Sequence, residues 1–302
     1  MASPFSKPDL PSLAKKLLEA GPHKTLKTPK RIRIEFNSAI VADTTSAVYV
    51  WEHPYYPYYY LPRSAFSVPL TPTTTTTTSS PSDSFSDSSF RTAVLRVADR
   101  STDRLLLFGP DVGRTHGPAC APLADTVRLE FAAAGAAWFE EDTRIAVHPK
   151  DPFRRVDVVH SVRPVRVFTA DRRTLLADAP GGSYHLYETG LPVRYYVPPT
   201  SVAAAAAAAS VGGGGHTGDG LGVRLRDSGL TTACPYKGEA NYYDVEIQGK
   251  GGDVERLENI VWYYKTPTTE CAAIAGCLCF YNEKVAIELD GEWLEQPKTI
   301  FS

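Results

Sequence analysis

No apolar run in this sequence is long enough to cross a bilayer. The longest, Ala203 to Ala209, is short and weakly apolar, where a spanning helix needs about 20 residues, so no membrane partner is expected. An excess of positive charge is also missing. The 32 basic and 34 acidic side chains leave a net charge of -2, which argues against affinity built on phosphate neutralisation and so against a nucleic-acid partner. The first residues, Met1 to Lys7, lack the apolar centre of a secretion signal. The five cysteines at 120, 234, 271, 277 and 279 form no CxxC pair; reduced thiols in a cytoplasmic protein are the expectation. No GxGxxG, Walker-A, GxSxG or HExxH motif occurs, and Gly212 to Gly215 is followed by no GK[ST], so it reads as linker rather than phosphate cradle. With 43% hydrophobic and 22% charged residues, the chain has the composition of a globular protein, long enough for two domains.

Short alternating strands fill most of what is present. Ile32, Ile34 and Phe36 share one face of a strand, as do Val165 and Val167, and Val285, Ile287 and Leu289. Helices do not alternate with these strands, so a parallel α/β sheet is not expected. Residues 1–30 read as an appendage: Leu10, Leu13 and Leu17 are spaced as one helical stripe, and Gly21-Pro22 ends it. Two tracts read as loop insertions, the Thr/Ser/Pro-rich segment 71–89, expected to be disordered, and the Ala/Gly segment 203–220.

The sequence also matches itself. Ala42-Asp43, Trp51-Glu52 and Tyr59-Tyr60-Leu61-Pro62 correspond to Ala177-Asp178, Tyr187-Glu188 and Tyr195-Tyr196-Val197-Pro198 at an offset of 135 or 136. More weakly, Trp138-Phe139-Glu140-Glu141 aligns with Cys279-Phe280-Tyr281-Asn282. Two β-rich copies, 31–157 and 158–302, account for the length.

The second copy carries Tyr187-Glu188-Thr189-Gly190-Leu191-Pro192, Arg194-Tyr195-Tyr196-Val197-Pro198, Cys234-Pro235-Tyr236-Lys237-Gly238 and Phe280-Tyr281-Asn282-Glu283-Lys284-Val285. In these blocks the chain resembles the domain-of-unknown-function family 427 (DUF427). The resemblance implies a mainly β fold, two compact antiparallel β-tent-like domains behind a short N-terminal helix, each tent enclosing a pocket. It brings no established reaction and leaves the cofactor unknown, although the family sometimes carries a nucleotidyltransferase label. That label would call for a carboxylate pair holding Mg²⁺, and no DxD pair lies near CPYKG. Copy 1 lacks a CPYKG block and reads as degenerate.

The candidate chemical residues follow from charge and spacing. Lys237 lies three positions after Cys234, close enough for its ammonium to favour a thiolate; the alternative is a turn with an inert buried thiol. Glu188, flanked by tyrosines, would serve as acid or base if buried, or as an acceptor for tyrosine hydroxyls. Cys234, Lys237 and Glu188 are therefore the catalytic candidates. Tyr196, Tyr236, Tyr243 and Trp262 are the candidate pocket walls, and Arg194 and His148 a candidate polar rim. Cys271, Cys277, Cys279 and Cys234 would make four metal ligands, but paired knuckles are absent and no metal is expected. The expected function is small-molecule binding, with or without turnover, in the second copy. A non-catalytic protein-interaction module and a nucleotidyltransferase-like enzyme are the alternatives.

Overall fold

The computed structural model describes residues 8–73, 89–202, 222–249 and 252–299. The chain divides into two compact units, Met1–Asp151 and Pro152–Ser302. Each holds one seven-stranded and one four-stranded antiparallel sheet. Among the described residues no helix is long and apolar enough to cross a membrane.

In the first unit, α1 (Leu10–Ala20) starts on Asp9, whose carboxylate accepts from the Ser12 N–H, and stops at Gly21 (φ +72°). Eleven strands follow: β1 (Lys24–Lys27), β2 (Ile32–Phe36), β3 (Ala39–Thr44), β4 (Val48–Trp51), β5 (Tyr58–Pro62), β6 (Leu70–Pro72), β7 (Phe90–Val97), β8 (Arg100–Phe108), β9 (Thr126–Leu129), β10 (Ala136–Glu140) and β11 (Thr143–Ile145). The large sheet runs β1-β4-β5-β9-β8-β7-β6 and the small one β11-β10-β2-β3. The alternation read in the sequence sends Ile32, Ile34 and Phe36 into the core between the sheets. The N-terminal segment is more than an appendage. Leu10, Ala14, Leu17 and Leu18 of α1 are buried on the outer face of the large sheet against Val48, Val50, Tyr60 and Leu106, and β1 pairs with β4. Burial of that leucine stripe, at about 1.5–3 kcal/mol per large side chain, is what holds a helix too short to persist alone.

The second unit repeats the plan with β12 (Val156–Ser161), β13 (Val165–Thr169), β14 (Leu175–Ala179), β15 (Ser183–Glu188), β16 (Arg194–Val197), β17 (Val223–Cys234), β18 (Gly238–Gln248), β19 (Val254–Tyr264), β20 (Leu278–Phe280), β21 (Val285–Leu289) and β22 (Glu292–Trp293). Its sheets are β12-β15-β16-β20-β19-β18-β17 and β14-β13-β21-β22; the large sheet matches that of the first unit position by position, and the small one matches it read from the other end, β3-β2-β10-β11. Val156 and Asp157 open β12, paired with β15. One core lies between the sheets. A second, on the outer face of the large sheet, is covered by the 3₁₀ turn Thr269–Ile274.

Most of the Thr/Ser tract expected over 71–89 lies outside the described residues. Its flanks are ordered: Leu70–Pro72 is β6, and buried Ser89 bonds to His116 at 2.9 Å. Most of the Ala/Gly tract, from 203 onward, also lies outside them.

Candidate functional site

The Cys-Pro-Tyr-Lys-Gly block is the tight end of a hairpin. Strands β17 and β18 pair down to Cys234 opposite Gly238, leaving Pro235, Tyr236 and Lys237 as the loop. Gly238 has φ +105°, and a Cβ there would meet the Thr266 carbonyl oxygen at 3.2 Å, so the position suits glycine on two counts. The loop is bolted to the segment beside it. The Thr268 N–H donates to the Lys237 carbonyl (3.0 Å) and the Thr268 hydroxyl to the Tyr236 carbonyl (2.7 Å). The Cys271 thiol reaches that same Tyr236 carbonyl at 3.6 Å.

These bonds turn the lysine inward. Its ammonium donates to the Glu188 carboxylate at the end of β15, with both side chains largely buried at 12% and 8% exposure. Burial alone would lower the pKa of Lys237; Cys234 and Glu188, followed by Cys271, outweigh it and raise the value. The half-buried Cys234 thiol therefore does stand beside the ammonium. Burial pushes the thiols of Cys271, Cys277 and Cys279 up, which keeps them protonated.

Tyr196, Trp262 and Arg194 stand on the same outer face, and Tyr236, buried, sits in the hairpin loop. The Trp262 indole donates to the Tyr196 hydroxyl (3.1 Å), and Arg194 lies over Trp262 and forks onto Glu283 with two 2.7 Å bonds. Two expected wall or rim residues stand elsewhere. Tyr243 points to the opposite face, stacked on Tyr263 at 4.8 Å, because side chains alternate along β18. His148 belongs to the first unit, stacked on Tyr56 at 3.9 Å with its Nδ1–H on the Pro149 carbonyl. Among the described residues no group of three or more His, Cys, Asp or Glu side chains is placed to hold a metal ion.

The first unit handles the matching glutamate differently. Glu52, at the position of Glu188, accepts from Arg128 at 2.6 and 3.1 Å and from the Tyr60 hydroxyl at 3.1 Å, with Arg128 1% and Glu52 5% exposed. Arg128 faces Leu106 on β8 just as Cys279 faces Trp262 on β19, so a guanidinium from the sheet replaces the lysine delivered by the hairpin.

The inner face of the second unit carries a cleft of about 230 Å³, lined in part by Tyr195, Asn282, Val285, Ile287 and Leu294. It lies between β16 of the large sheet and β21 of the small one. Asn282 is 7% exposed. Its Nδ2 donates to the Val193 carbonyl (2.7 Å), while its Oδ1, itself shielded from solvent, has no hydrogen-bond partner among the described residues.

The family model described as a domain of unknown function, DUF427, matches residues 24–84 and 157–291, well over half of the chain. The chain belongs to the DUF427 family. A comparison with curated proteins finds no match. The DUF427 match in the first unit stops at residue 84, yet β7, β8 and β9 beyond it hold the sheet positions of β18, β19 and β20.

The cleft residues of this DUF427 chain were hidden by an alignment that the registers correct. Trp138 pairs with Ile34 across β10 and β2, and Ile287 pairs with Val167 across β21 and β13. Ile34 faces Ala42 as Val167 faces Ala177. Trp138 therefore corresponds to Ile287 and not to Cys279. The usable signal was the pair of Ala-Asp dipeptides, which frames the strands on which both residues lean.

A pH dependence follows from the raised Lys237 pKa. A lysine held above its unfolded value stabilises fully below that value and loses the contribution as pH climbs through the folded pKa. The difference in urea-unfolding free energy between the unaltered protein and Lys237→Met is expected to be flat near neutral pH and to shrink above 10.5. A difference that instead shrinks toward acid would show that the lysine's charge is not the source.

Proposed function

We propose that the second unit binds a small molecule in the cleft between its two sheets. One observation carries this reading. In the first unit three aromatic rings close the corresponding space: Trp138 stacks on Phe131 at 5.1 Å and 10°, and on Tyr59 at 6.3 Å and 23°. In the second unit the same three positions are Ile287, Asn282 and Tyr195. Glu130, just before Phe131, donates its N–H to the Arg104 carbonyl, as Tyr281, just before Asn282, does to that of Ile260, which fixes the correspondence. One fold thus has a filled and an open version in one chain, and interiors are normally filled. A persistent opening with apolar walls and one or two polar groups is how small-molecule sites are built.

Cys234, Lys237 and Glu188 lie on the other face of the sheet from this cleft, and we assign them to clasping the hairpin. The test is native mass spectrometry of the purified protein, followed by thermal-shift screening against metabolites. Binders are expected, and Ile287→Trp, which restores the first unit's ring, is expected to abolish their shifts while the far-ultraviolet circular dichroism stays unchanged. A metabolite whose shift survives Ile287→Trp binds elsewhere and would sink the assignment, as would the absence of any binder.

A further inference from the structure

We infer that the guest of this cleft is a flat, uncharged aromatic group about the size of an indole, seated where the first unit seats the ring of its own Trp138. The inference rests on the binding reading above and adds the ligand's chemistry.

The duplicated fold displays the occupant. Trp138 is 1% exposed and stacks on two rings, at 10° to Phe131 and 23° to Tyr59. Its Nε1 has no hydrogen-bond partner among the described residues, so the ring is held there by packing. In the second unit the filling is gone but two of its walls remain. Tyr195 stands against its cross-strand neighbour His185 at 4.9 Å, as Tyr59 stands against Tyr49 at 4.8 Å. Leu294 donates its N–H to the Ile287 carbonyl at 2.9 Å, in the place that Ile145 holds opposite Trp138. The parts removed are the indole of Trp138 and the phenyl of Phe131. They leave an opening of about 230 Å³, more than the roughly 150 Å³ of an apolar cavity that takes up benzene.

The lining sets the character of the guest. Val193, Val285, Ile287 and Leu294, with Pro192 and Pro297, supply apolar surface. Two amides of the lining are tied to the protein's own backbone: Asn282 Nδ2 donates to the Val193 carbonyl, and Gln296 Nε2 to the Val285 carbonyl at 2.8 Å. The Asn282 Oδ1 is shielded from solvent and so from a guest. Formal charge is either cancelled or in water. Arg194 and Glu283, next in sequence to Val193 and Asn282, fork onto one another, and Glu295 is exposed at the rim. A charged group pushed into the cleft would lose its hydration and, among the described lining residues, would find no buried counter-ion. A flat ring has little hydration to lose, buries apolar area on both faces, and gains the stacking that a neighbouring aromatic ring favours.

Four soluble probes test this on the full chain, each titrated to millimolar concentration and read by the methyl-group NMR shifts of valine, isoleucine and leucine. Indole and indole-2-carboxylate share a ring and differ in charge; benzyl alcohol and cyclohexylmethanol share a size and differ in flatness. Indole is expected to move the methyls of Val285, Ile287 and Leu294 and to bind at least about tenfold more tightly than indole-2-carboxylate. Benzyl alcohol is expected to bind about threefold more tightly than cyclohexylmethanol. Ile287→Trp is expected to abolish the indole shifts at Val285 and Leu294. The two rankings are measured on the unaltered protein, so they hold whether or not that variant folds. Indole-2-carboxylate as tight as indole, cyclohexylmethanol as tight as benzyl alcohol, or indole moving only methyls outside the cleft each overturns the inference. A metabolite whose thermal shift is lost in Ile287→Trp keeps the cleft as a site even then. If no probe binds and no metabolite's shift is lost in that variant, the binding reading fails together with the inference.

Discussion

Arg128→Met is expected to destabilise the first unit by about 3–5 kcal/mol, the range for breaking a buried ion pair by removing one partner. The guanidinium is 1% exposed and carries two hydrogen bonds to Glu52. Without it the carboxylate, 5% exposed, keeps, among the described residues, only the Tyr60 hydroxyl. One neutral donor does not replace water and a cation around a buried charge. Urea unfolding followed by amide hydrogen exchange in β4, β5 and β9 would report the loss locally. Adding Glu52→Leu to Arg128→Met is expected to recover much of it, because two apolar side chains of similar volume leave no stranded charge. A single-variant cost below about 1 kcal/mol would mean that water reaches the pair and that it belongs with surface ion pairs.

Glu188→Leu in the second unit should also be destabilising but less so, at about 1–3 kcal/mol, the cost of leaving a buried donor unpaired, and the reason is the identity of the cation. It strands the Lys237 ammonium, 12% exposed, beside the half-buried Cys234 and the buried Cys271. Unlike a guanidinium, a lysine can release its proton when its surroundings disfavour charge. The raised pKa that Lys237 holds beside Cys234 and Glu188 is then expected to fall once the carboxylate is gone. The cost, measured by urea unfolding, should therefore diminish at high pH for Glu188→Leu, and Lys237→Met on top of it should restore stability. A loss as large as that of Arg128→Met, unchanged by the second substitution, would show that Glu188 acts through its packing and not as a counter-ion.

The two glutamates also show how far the sequence could be read. The block Tyr-Glu with Tyr-Tyr-Val-Pro aligned Glu188 with Glu52 and Tyr196 with Tyr60 directly, because each lies a few residues from its neighbours on adjacent strands. Their counter-ions could not be aligned in that way. Arg128 lies on β9 and Lys237 in the turn between β17 and β18, remote in sequence from the glutamates they meet and unlike one another. The five cysteines behave similarly. Cys120 and Cys271, each buried in a 3₁₀ turn that covers the outer face of a large sheet, occupy matching places, but besides the cysteine the two turns share only Ala121 with Ala272, and the likeness was not visible as a motif. Tyr243 and Tyr196, grouped as walls of one pocket, were parted by strand alternation once the faces were known.

Local pattern was enough for the strand content, the antiparallel architecture, the N-terminal helix and the family, because alternation of apolar residues, turn chemistry and short motifs are all written within a few neighbouring residues. The pairing of charges, the side of the sheet on which each tyrosine stands, and the exchange of Trp138 and Phe131 for Ile287 and Asn282 are decided by register between distant strands. A register cannot be read from either strand alone: it is fixed only when two sheets close on a shared interior, and whether that interior is filled or open depends on side chains that meet nowhere but there.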